Sequence, residues 1–383
     1  MKPRITAVLV LVLGTLAGVA AWNLIAEPSP ARDTNASGTL PDPTDPPQGR
    51  DPSAPTQDAL TMRTGYVTTR EAADLRPGPD EFGSPVAAGV VLPVTGETDG
   101  GYWVLDTCNR DGWLAADQVE PGMVPGQPAD GQMDRASFVI DPGHGLPDYG
   151  AVGPNGLTET EVNLDVSARL GDLLERSNDI DWTTGAVTPG SQYPAAAAAV
   201  LTRGPEGPNA GDYQLGLTFR ATLANSVDAT AFVSIHHNTQ PEASLDHPGS
   251  EAFVSVANPE SPRLGGLIVE ELRSSFSRFS ADWMGTPGSG LISRVGSDGE
   301  DYYTVLSRSL VPAVIVEGAY ISNPSEEALA MTDEFRQAYA EAVYRALVRF
   351  VTTDDYPIPP PEPDLWEVDR PGPSMSDCSV PSP

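Results

Sequence analysis

The pattern of apolar and polar residues changes along the chain, and its longest regular part lies in the second half. From Ser137 onward, short runs rich in β-branched residues alternate with longer segments of helical periodicity, as in parallel sheets flanked by helices. After Glu159, the residues spaced to share one helix face are apolar: Val162, Val166, Leu170, Leu173 and Leu174. We therefore predict an α/β domain over residues 135–353, with a twisted, mostly parallel sheet flanked by helices.

Residues 61–122 follow a shorter period. β-prone stretches such as GYVTT and YWVLD alternate with turns of Gly, Pro and Asp, which is typical of a small all-β barrel. The Pro- and Gly-rich residues 123–134 predict a linker between this barrel and the α/β domain. Because linkers flank the barrel on both sides, we expect few contacts between it and the rest of the chain.

The two ends of the chain have patterns that do not predict a folded core. Residues 1–26 begin with Lys2 and Arg4 and continue as a long apolar run, which predicts an export signal peptide or a membrane anchor. Both interpretations remain open, and both place the rest of the chain in the cell envelope. Residues 27–60 are Pro-rich and predict an extended linker, and residues 354–383 predict a disordered tail.

The charge of the chain excludes one class of function. Asp and Glu number 53 against 22 Lys and Arg, which gives a formal net charge of −31. Nucleic-acid binding needs a basic surface that displaces counterions, so we expect no nucleic-acid partner. The cysteines Cys108 and Cys378 are too few for a disulfide framework and lack metal-ligand spacing, and whether they pair stays open.

Chemistry-bearing residues follow three β-branched runs. The runs are VIDPGHG (139–145), VSIHHN (233–238) and VIVEGAYISNP (314–324), and each ends in polar or Gly-rich residues. Open α/β sheets bind their ligands at the carboxyl ends of parallel strands, so these segments are expected to meet at one edge. Three of the four histidines lie there, at His144, His236 and His237.

These residue types suit a hydrolytic zinc ion. Two histidines and one carboxylate leave a coordination position for water, which is typical of catalytic rather than structural zinc. Glu159 stands just ahead of an amphipathic helix and is the carboxylate candidate. Glu317 ends an apolar strand, where partial burial would raise its pKa toward the range of a useful base.

The motifs, taken in order, resemble the zinc-dependent N-acetylmuramoyl-L-alanine amidases. They are DPGHG, G-L-x-E-x-x-V-N-L (156–164), Thr-Arg (202–203), R-x-x-x-A-N (220–225), SIHHN and VEGAYISNP. The resemblance implies that His144, Glu159 and His236 bind Zn²⁺. It also implies that Glu317 is the catalytic general base on the zinc-bound water.

Other polar residues near these motifs have less specific interpretations. We expect His237, Asn238 and Arg294 to contact the substrate. Asp141 could orient His144 or cap a turn, and both interpretations stay open.

Residues 61–122 resemble bacterial Src-homology-3-like domains. The resemblance rests on ADLRPGP and on the closing GWLAADQV, although Asp74 and Leu75 stand where that family has Asn and Val. Such domains often bind wall peptides, and a plain spacer barrel is the alternative.

Together the two resemblances imply an exported enzyme of the cell envelope, expected to be a monomer. Its reaction would be hydrolysis of the amide bond between the N-acetylmuramoyl lactyl group and L-alanine in peptidoglycan. Two alternatives stay open, namely a zinc peptidase of the stem peptide and a non-catalytic wall-binding regulator. The presence of all four residues expected of an active site argues against the regulator.

Overall fold

The computed structural model describes residues 61–106, 110–126, 129–204, 216–241, 243–357 and 362–369. The predictions for residues 1–60 and for both cysteines lie outside these ranges. Residues 358–361 and 370–383 of the predicted tail also lie outside them. Within the described ranges, no helix has the length and apolar character needed to cross a membrane.

Six α-helices occur in the described part of the chain. They are α1 (Glu159–Leu174), α2 (Leu217–Ser226), α3 (Ser261–Phe276), α4 (Thr304–Ser307), α5 (Pro324–Ala330) and α6 (Asp333–Thr352). Local sequence explains where several begin. The side chains of Thr158, Asn323 and Thr332 accept hydrogen bonds from the first backbone N–H groups of α1, α5 and α6. Pro324 opens α5, where its missing N–H costs nothing.

The strands divide between a first, all-β part and a second part that alternates with the helices. Those of the first part are β1 (Met62–Thr69), β2 (Ala73–Leu75), β3 (Ser84–Val86), β4 (Val91–Thr98), β5 (Gly101–Leu105), β6 (Asp111–Ala115) and β7 (Val119–Pro125). Those of the second part are β8 (Ser137–Pro142), β9 (Asn178–Asp181), β10 (Ala186–Pro189), β11 (Ala198–Leu201), β12 (Ala231–Asn238), β13 (Ala243–Ser244), β14 (Glu251–Val254), β15 (Met284–Gly285), β16 (Leu291–Val295), β17 (Ala313–Tyr320) and β18 (Asp364–Glu367).

A seven-stranded sheet forms the centre of the second part, in the order β11-β8-β12-β17-β14-β16-β18. Its neighbours pair in parallel except at β14 and β17, which are antiparallel. Helices α1, α3 and α6 cover one face, and α2 and α4 lie on the other. The predicted fold class, a mostly parallel sheet flanked by helices, is confirmed.

Alternating side chains of the buried strands supply two separate cores. Along β12, for example, Val233 and Ile235 pack with helices α1, α3 and α6, whereas Phe232 packs toward α2 and α4. The strands are therefore apolar on both faces, as central parallel strands require.

The all-β part is a five-stranded antiparallel sheet in the order β6-β5-β4-β1-β7. Its last strand, β7, continues to Pro125, into the segment predicted as a linker. This sheet also contacts the α/β part, in contrast to the few contacts that we expected. Phe219 of α2 lies in its core, and Val124 of β7 lies in the core on the α2 face of the central sheet. We call residues 62–125 the small β domain.

Part of the predicted disordered tail is ordered. Residues 364–367 form strand β18, which pairs in parallel with β16 at the edge of the central sheet. The ring of Trp366 packs on that of Phe253, with centroids 6.2 Å apart. Sequence pattern could not reveal this strand, because an edge strand needs mainly backbone hydrogen bonds and Trp366 is a lone aromatic residue among Pro and acidic residues.

Candidate active site

Three acidic or histidine side chains form a row across the central sheet. His236 of β12 is the register partner of Glu317 of β17, and Glu317 is the register partner of Glu251 of β14. Partners in register point to the same face of a sheet. The face is the one covered by α2 and α4, since Phe232 and Ile315, which belong to that core, precede His236 and Glu317 at even spacing.

His144 reaches this row from the loop that follows β8. Its backbone is in the left-handed region, with φ of +63°. The neighbouring glycines allow the close approach. A Cβ added to Gly143 would lie 2.3 Å from the His236 ring, and one added to Gly150 would lie 2.5 Å from Glu159 Oε2. The sequence DPGHG therefore brings the backbone and His144 against the other candidate ligands.

Glu159, in the first turn of α1, lies between the two histidines. Its Oε1 is 2.9 Å from His236 Nδ1, and its Oε2 is 3.1 Å from His144 Nε2. Backbone N–H groups also hold it, with Ala151 donating to Oε2 at 2.8 Å and His237 donating to Oε1 at 3.2 Å. A buried carboxylate fixed from several sides can serve as a pre-positioned ligand.

The donor set of this group fits a zinc ion. One candidate ligand atom from each of His144, Glu159 and His236 lies within 4.8 Å of the others. Two imidazole nitrogens and one carboxylate oxygen are a common set for catalytic zinc. A carboxylate also orients one histidine, because Asp148 Oδ2 lies 2.8 Å from His144 Nδ1 and leaves Nε2 facing Glu159. The structure assigns this role to Asp148, not to Asp141.

The charges of Glu159 and the two histidines act on one another. Burial acts to lower the pKa of His144, but hydrogen bonds and charge from Glu159 and Asp148 outweigh it and raise that pKa. Burial acts in the opposite sense on Glu159, and there the contacts with His144 and His236 prevail and hold its pKa well below the usual range. Glu159 is thus kept as a carboxylate, the form that binds a metal ion.

Glu317 has a different electrostatic environment. Its Oε2 is out of contact with solvent and has no hydrogen-bond partner among the described residues. Burial, followed by the negative charges of Glu159 and Glu251, raises its pKa well above that of an ordinary glutamate. In contrast, Glu251 is a hydrogen-bonded carboxylate, with donors from Asn238 Nδ2 (3.0 Å), the Thr286 backbone (2.9 Å) and the Tyr320 hydroxyl (2.8 Å).

Three buried residues hold the backbone of residues 142–144 in place through hydrogen bonds, namely Asp141, Arg203 and Arg220. Asp141 accepts hydrogen bonds from Thr202, Ser234 and Arg220, each at 2.6 Å. Arg220 also donates to the carbonyl of His144 at 2.6 Å, and Arg203 donates to the carbonyl of Gly143 at 2.9 Å. Their hydrogen bonds are therefore structural.

A cleft of about 590 Å³ opens above the row. Its polar lining includes His144, Glu159, His236 and Glu317, and its apolar lining includes Val152, Leu217, Tyr303 and Val305. Another groove, of about 560 Å³, lies around Asp165, Arg169 and Arg336. Asp165 pairs there with both Arg169 and Arg336, and no histidine is among the described residues that line the groove.

Comparison with known proteins identifies the family of this fold and site. The family model described as N-acetylmuramoyl-L-alanine amidase matches residues 138–349, which is more than half of the chain. The chain belongs to the N-acetylmuramoyl-L-alanine amidase family. The small β domain and strand β18 lie outside the matched residues.

Individual relatives carry the same family name. The germination-specific N-acetylmuramoyl-L-alanine amidase of Bacillus subtilis (strain 168) is 27% identical over 213 residues, or 56% of this chain and 78% of the relative. N-acetylmuramoyl-L-alanine amidase LytC of the same organism is 29% identical over 216 residues, 56% of this chain but only 35% of LytC. The structure of N-acetylmuramoyl-L-alanine amidase AmiC2 of Nostoc punctiforme is 26% identical, with a TM-score of 0.42, and covers 56% of this chain and 96% of that one.

The ring of His237 points away from the cleft face in this member of the amidase family, although the residue also contributes to the lining of the cleft. It follows His236 on β12 and therefore points to the opposite face of the sheet, where the residue is 1% exposed. Its Nδ1 lies 2.9 Å from Asn163 Oδ1, and its ring packs on Tyr339 with centroids 5.4 Å apart. Burial lowers the pKa of His237 to about 4. The ring is therefore held in the core, and the substrate contact expected of His237 stays a prediction.

Asn238 and Arg294 have different positions relative to the cleft. Asn238 is part of the lining, and its Nδ2 is held by Glu251. Arg294 is absent from the lining and instead donates to the hydroxyl of Tyr303 at 3.0 Å and stacks on the ring of Tyr302. Direct substrate contact is therefore open to Asn238, whereas the position of Arg294 argues for an effect through Tyr303.

Sequence reasoning missed Asp148 and Glu251. Asp148 could have been noticed as the acid four residues after His144, but turns commonly contain Asp without such a role. Glu251 stands at the beginning of its strand. Only the antiparallel direction of β14 brings that beginning to the edge where β12 and β17 end.

Proposed function

We propose that this protein is a zinc-dependent N-acetylmuramoyl-L-alanine amidase of the cell envelope. It would hydrolyse the amide bond between the lactyl group of N-acetylmuramic acid and the first L-alanine of the stem peptide. The observation that carries the proposal is the placement of Glu317 beside His236 and Glu159, in one cleft with His144. Membership of the amidase family supports the same bond specificity.

His144, Glu159 and His236 are the proposed zinc ligands. Zinc, when bound, supplies a Lewis acid that polarises the amide carbonyl and lowers the pKa of water toward neutrality. The protein contributes a carboxylate fixed by backbone N–H groups and a His144 ring oriented by Asp148. Both reduce the reorganisation needed when the metal ion binds.

Glu317 is the proposed general base. It takes a proton from the attacking water and delivers it to the alanine nitrogen as the carbon–nitrogen bond breaks. A base that must accept and then donate a proton works best with a pKa near the working pH. The burial of Glu317, together with the charges of Glu159 and Glu251, raises its pKa from that of an ordinary glutamate, which is the direction that this role requires.

Mass spectrometry of purified peptidoglycan after digestion tests the proposed function. We expect glycan strands with a free lactyl group, together with intact stem peptides that begin with L-alanine. Shortened peptides still attached to the glycan would instead indicate a stem-peptide peptidase. If no product appears at full zinc occupancy, the protein is a binder and the proposed function is wrong.

The location of the protein is a related proposal. The substrate lies outside the cytoplasm, and the apolar residues 1–26 offer an export signal or an anchor. We propose a monomer in the cell envelope, either secreted to the wall or held at the membrane. Fractionation of cells followed by N-terminal sequencing of the mature chain separates these two cases.

The small β domain is proposed to be Src-homology-3-like. Its five-stranded antiparallel sheet supports a small barrel, and the match to ADLRPGP supports the family. Wall-peptide binding is the function that the resemblance implies. Sedimentation of the full chain with purified wall, compared with the full-length Arg76→Ala variant in the matched segment, measures its contribution.

A further inference from the structure

Helix α2 belongs to two hydrophobic cores at once. Phe219 is fully buried in the core of the small β domain, among Val67, Leu92 and Val104. Leu223, four residues later, is fully buried in the core on the α2 face of the central sheet. The helix packs against β1 and β4 on one side and against β8 and β12 on the other.

The residue next to Phe219 reaches the candidate metal site. Arg220 is 1% exposed and donates to Asp141 Oδ1 at 2.6 Å. It also donates to the carbonyls of Pro142 at 3.0 Å and of His144 at 2.6 Å. Arg220 therefore links α2 directly to the backbone that carries His144.

The small β domain holds α2 at a second point. Arg63 of β1 donates to the carbonyl of Ser226, the last residue of the helix, at 2.8 Å. The same guanidinium nitrogen lies 2.8 Å from Asp228 Oδ2. In the reverse direction, Val124 of β7 enters the α2-side core of the central sheet. The two parts of the molecule interlock through α2.

We propose that the small β domain positions the metal site, with Phe219 as the positioning residue that acts through Arg220 on His144. This role is independent of any wall binding by that domain, so it applies to small soluble substrates as well. The proposal rests on the proposed function in one respect, the assignment of His144 as a ligand.

The loop of His144 needs such support. His144 adopts a left-handed backbone conformation, which a non-glycine residue holds only when its surroundings impose it. Side chains from elsewhere hold its carbonyls, with Arg203 at Gly143 and Arg220 at His144. Loss of α2 position would remove one of these supports and loosen a ligand. Misplacement of a site by about 1 Å is enough to impair it.

Phe219→Ala and Phe219→Leu in the full chain test the proposal against a matched control. The control is Leu114→Ala, which removes a fully buried side chain from the same core. Leu114 lies on β6, an edge strand of the small β domain, whereas α2 packs on β1 and β4. Two quantities are measured: hydrogen exchange of residues 143–149 without metal, and zinc affinity by competition with a chelator.

We expect Phe219→Ala to speed exchange in residues 143–149. We also expect it to weaken zinc binding by about 10–100-fold, the range for groups that orient metal ligands. Phe219→Leu should restore most of both properties, and Leu114→Ala should leave them near wild type at a similar loss of thermal stability. If Phe219→Ala does not fold, the same two readouts of Phe219→Leu against Leu114→Ala decide the question.

Equal exchange and equal zinc affinity in the Phe219 and Leu114 variants would overturn the proposal. So would wild-type values in both Phe219 variants. The test is separable from that of the proposed function. A wild-type protein that binds zinc but cleaves no muropeptide would refute amidase activity, while loop exchange and zinc affinity would still measure the positioning.

Discussion

The two faces of the central sheet place neighbouring residues in opposite chemical surroundings. His236 faces the cleft, in register with Glu317, whereas His237 faces the core of α1, α3 and α6. The cleft histidine is beside a carboxylate, and the core histidine has the neutral amide of Asn163 as its partner. Strand alternation alone thus separates a candidate ligand from a packing residue within a His-His pair.

The pKa values of His144 and His237 differ in a similar way. Carboxylates of Glu159 and Asp148 raise the pKa of His144 against the effect of burial. For His237, burial dominates and the pKa falls to about 4. Charged partners therefore set the direction of the pKa shift at His144, whereas burial sets it at His237.

Alanine substitution of His236 and of His237 should give the largest difference between the two faces of the sheet. His236→Ala should lose the bound zinc and with it all measurable amidase turnover, because one of three ligands is gone. His237→Ala should keep the zinc and lower the free energy of unfolding by about 1–3 kcal/mol, since Asn163 loses a buried partner. Elemental analysis and urea unfolding measure both. Zinc loss in the His237 variant alone would reverse the assignment of the two faces.

Glu317→Gln separates chemistry from metal binding on the cleft face. The amide is nearly the same shape but cannot accept a proton, so turnover should fall by about 10²–10⁴-fold. Zinc content should stay near wild type, because Glu317 is not a proposed ligand. Near-normal turnover would place the base elsewhere, and loss of zinc would make Glu317 a ligand.

Asp148→Asn tests whether a charged partner is needed to orient His144. Loss of the carboxylate that holds His144 Nδ1 should weaken zinc binding by about 10–100-fold. Asp165→Asn is the matched control, since Asp165 pairs with Arg169 outside the cleft, where surface ion pairs contribute little. Chelator competition gives both affinities, and equal values in the two variants would contradict the orienting role.

The smallest expected effect concerns stability without metal. Burial, then Glu159 and Glu251, raises the pKa of Glu317 in the folded state. The folded protein therefore binds this proton more tightly than the unfolded chain, and stability falls as pH rises from the unfolded pKa toward the folded one. Metal-free Glu317→Gln should exceed metal-free wild type in stability at neutral pH.

That difference should shrink as pH falls below the usual range for glutamate, about 4.3. Thermal unfolding with a chelator, repeated from acid to neutral pH, measures the trend. A difference that is constant with pH would mean that the substitution acts through packing instead of charge.

Sequence pattern was sufficient for the fold class but not for all of the site. The β-branched runs before His144, His236 and Glu317 predicted strands, and those three residues do meet at one edge of the sheet. The position of Glu251 beside Glu317 could not be predicted, because strand direction is set by tertiary pairing and not by local sequence. The contact between Phe219 and the small β domain was equally hidden, since flanking Pro-rich segments indicate a linker whether or not the domains touch.

Strand β18 has a consequence for how the chain tolerates shortening. A protein that ended at Thr353, where the sequence pattern of the domain stops, would leave β16 with one side of its backbone unpaired and Phe253 without Trp366. Unpaired edges of this kind recruit strands from other molecules. Residues 364–367 therefore protect this sheet edge from pairing with other molecules, and their removal should make the protein aggregate as its concentration rises.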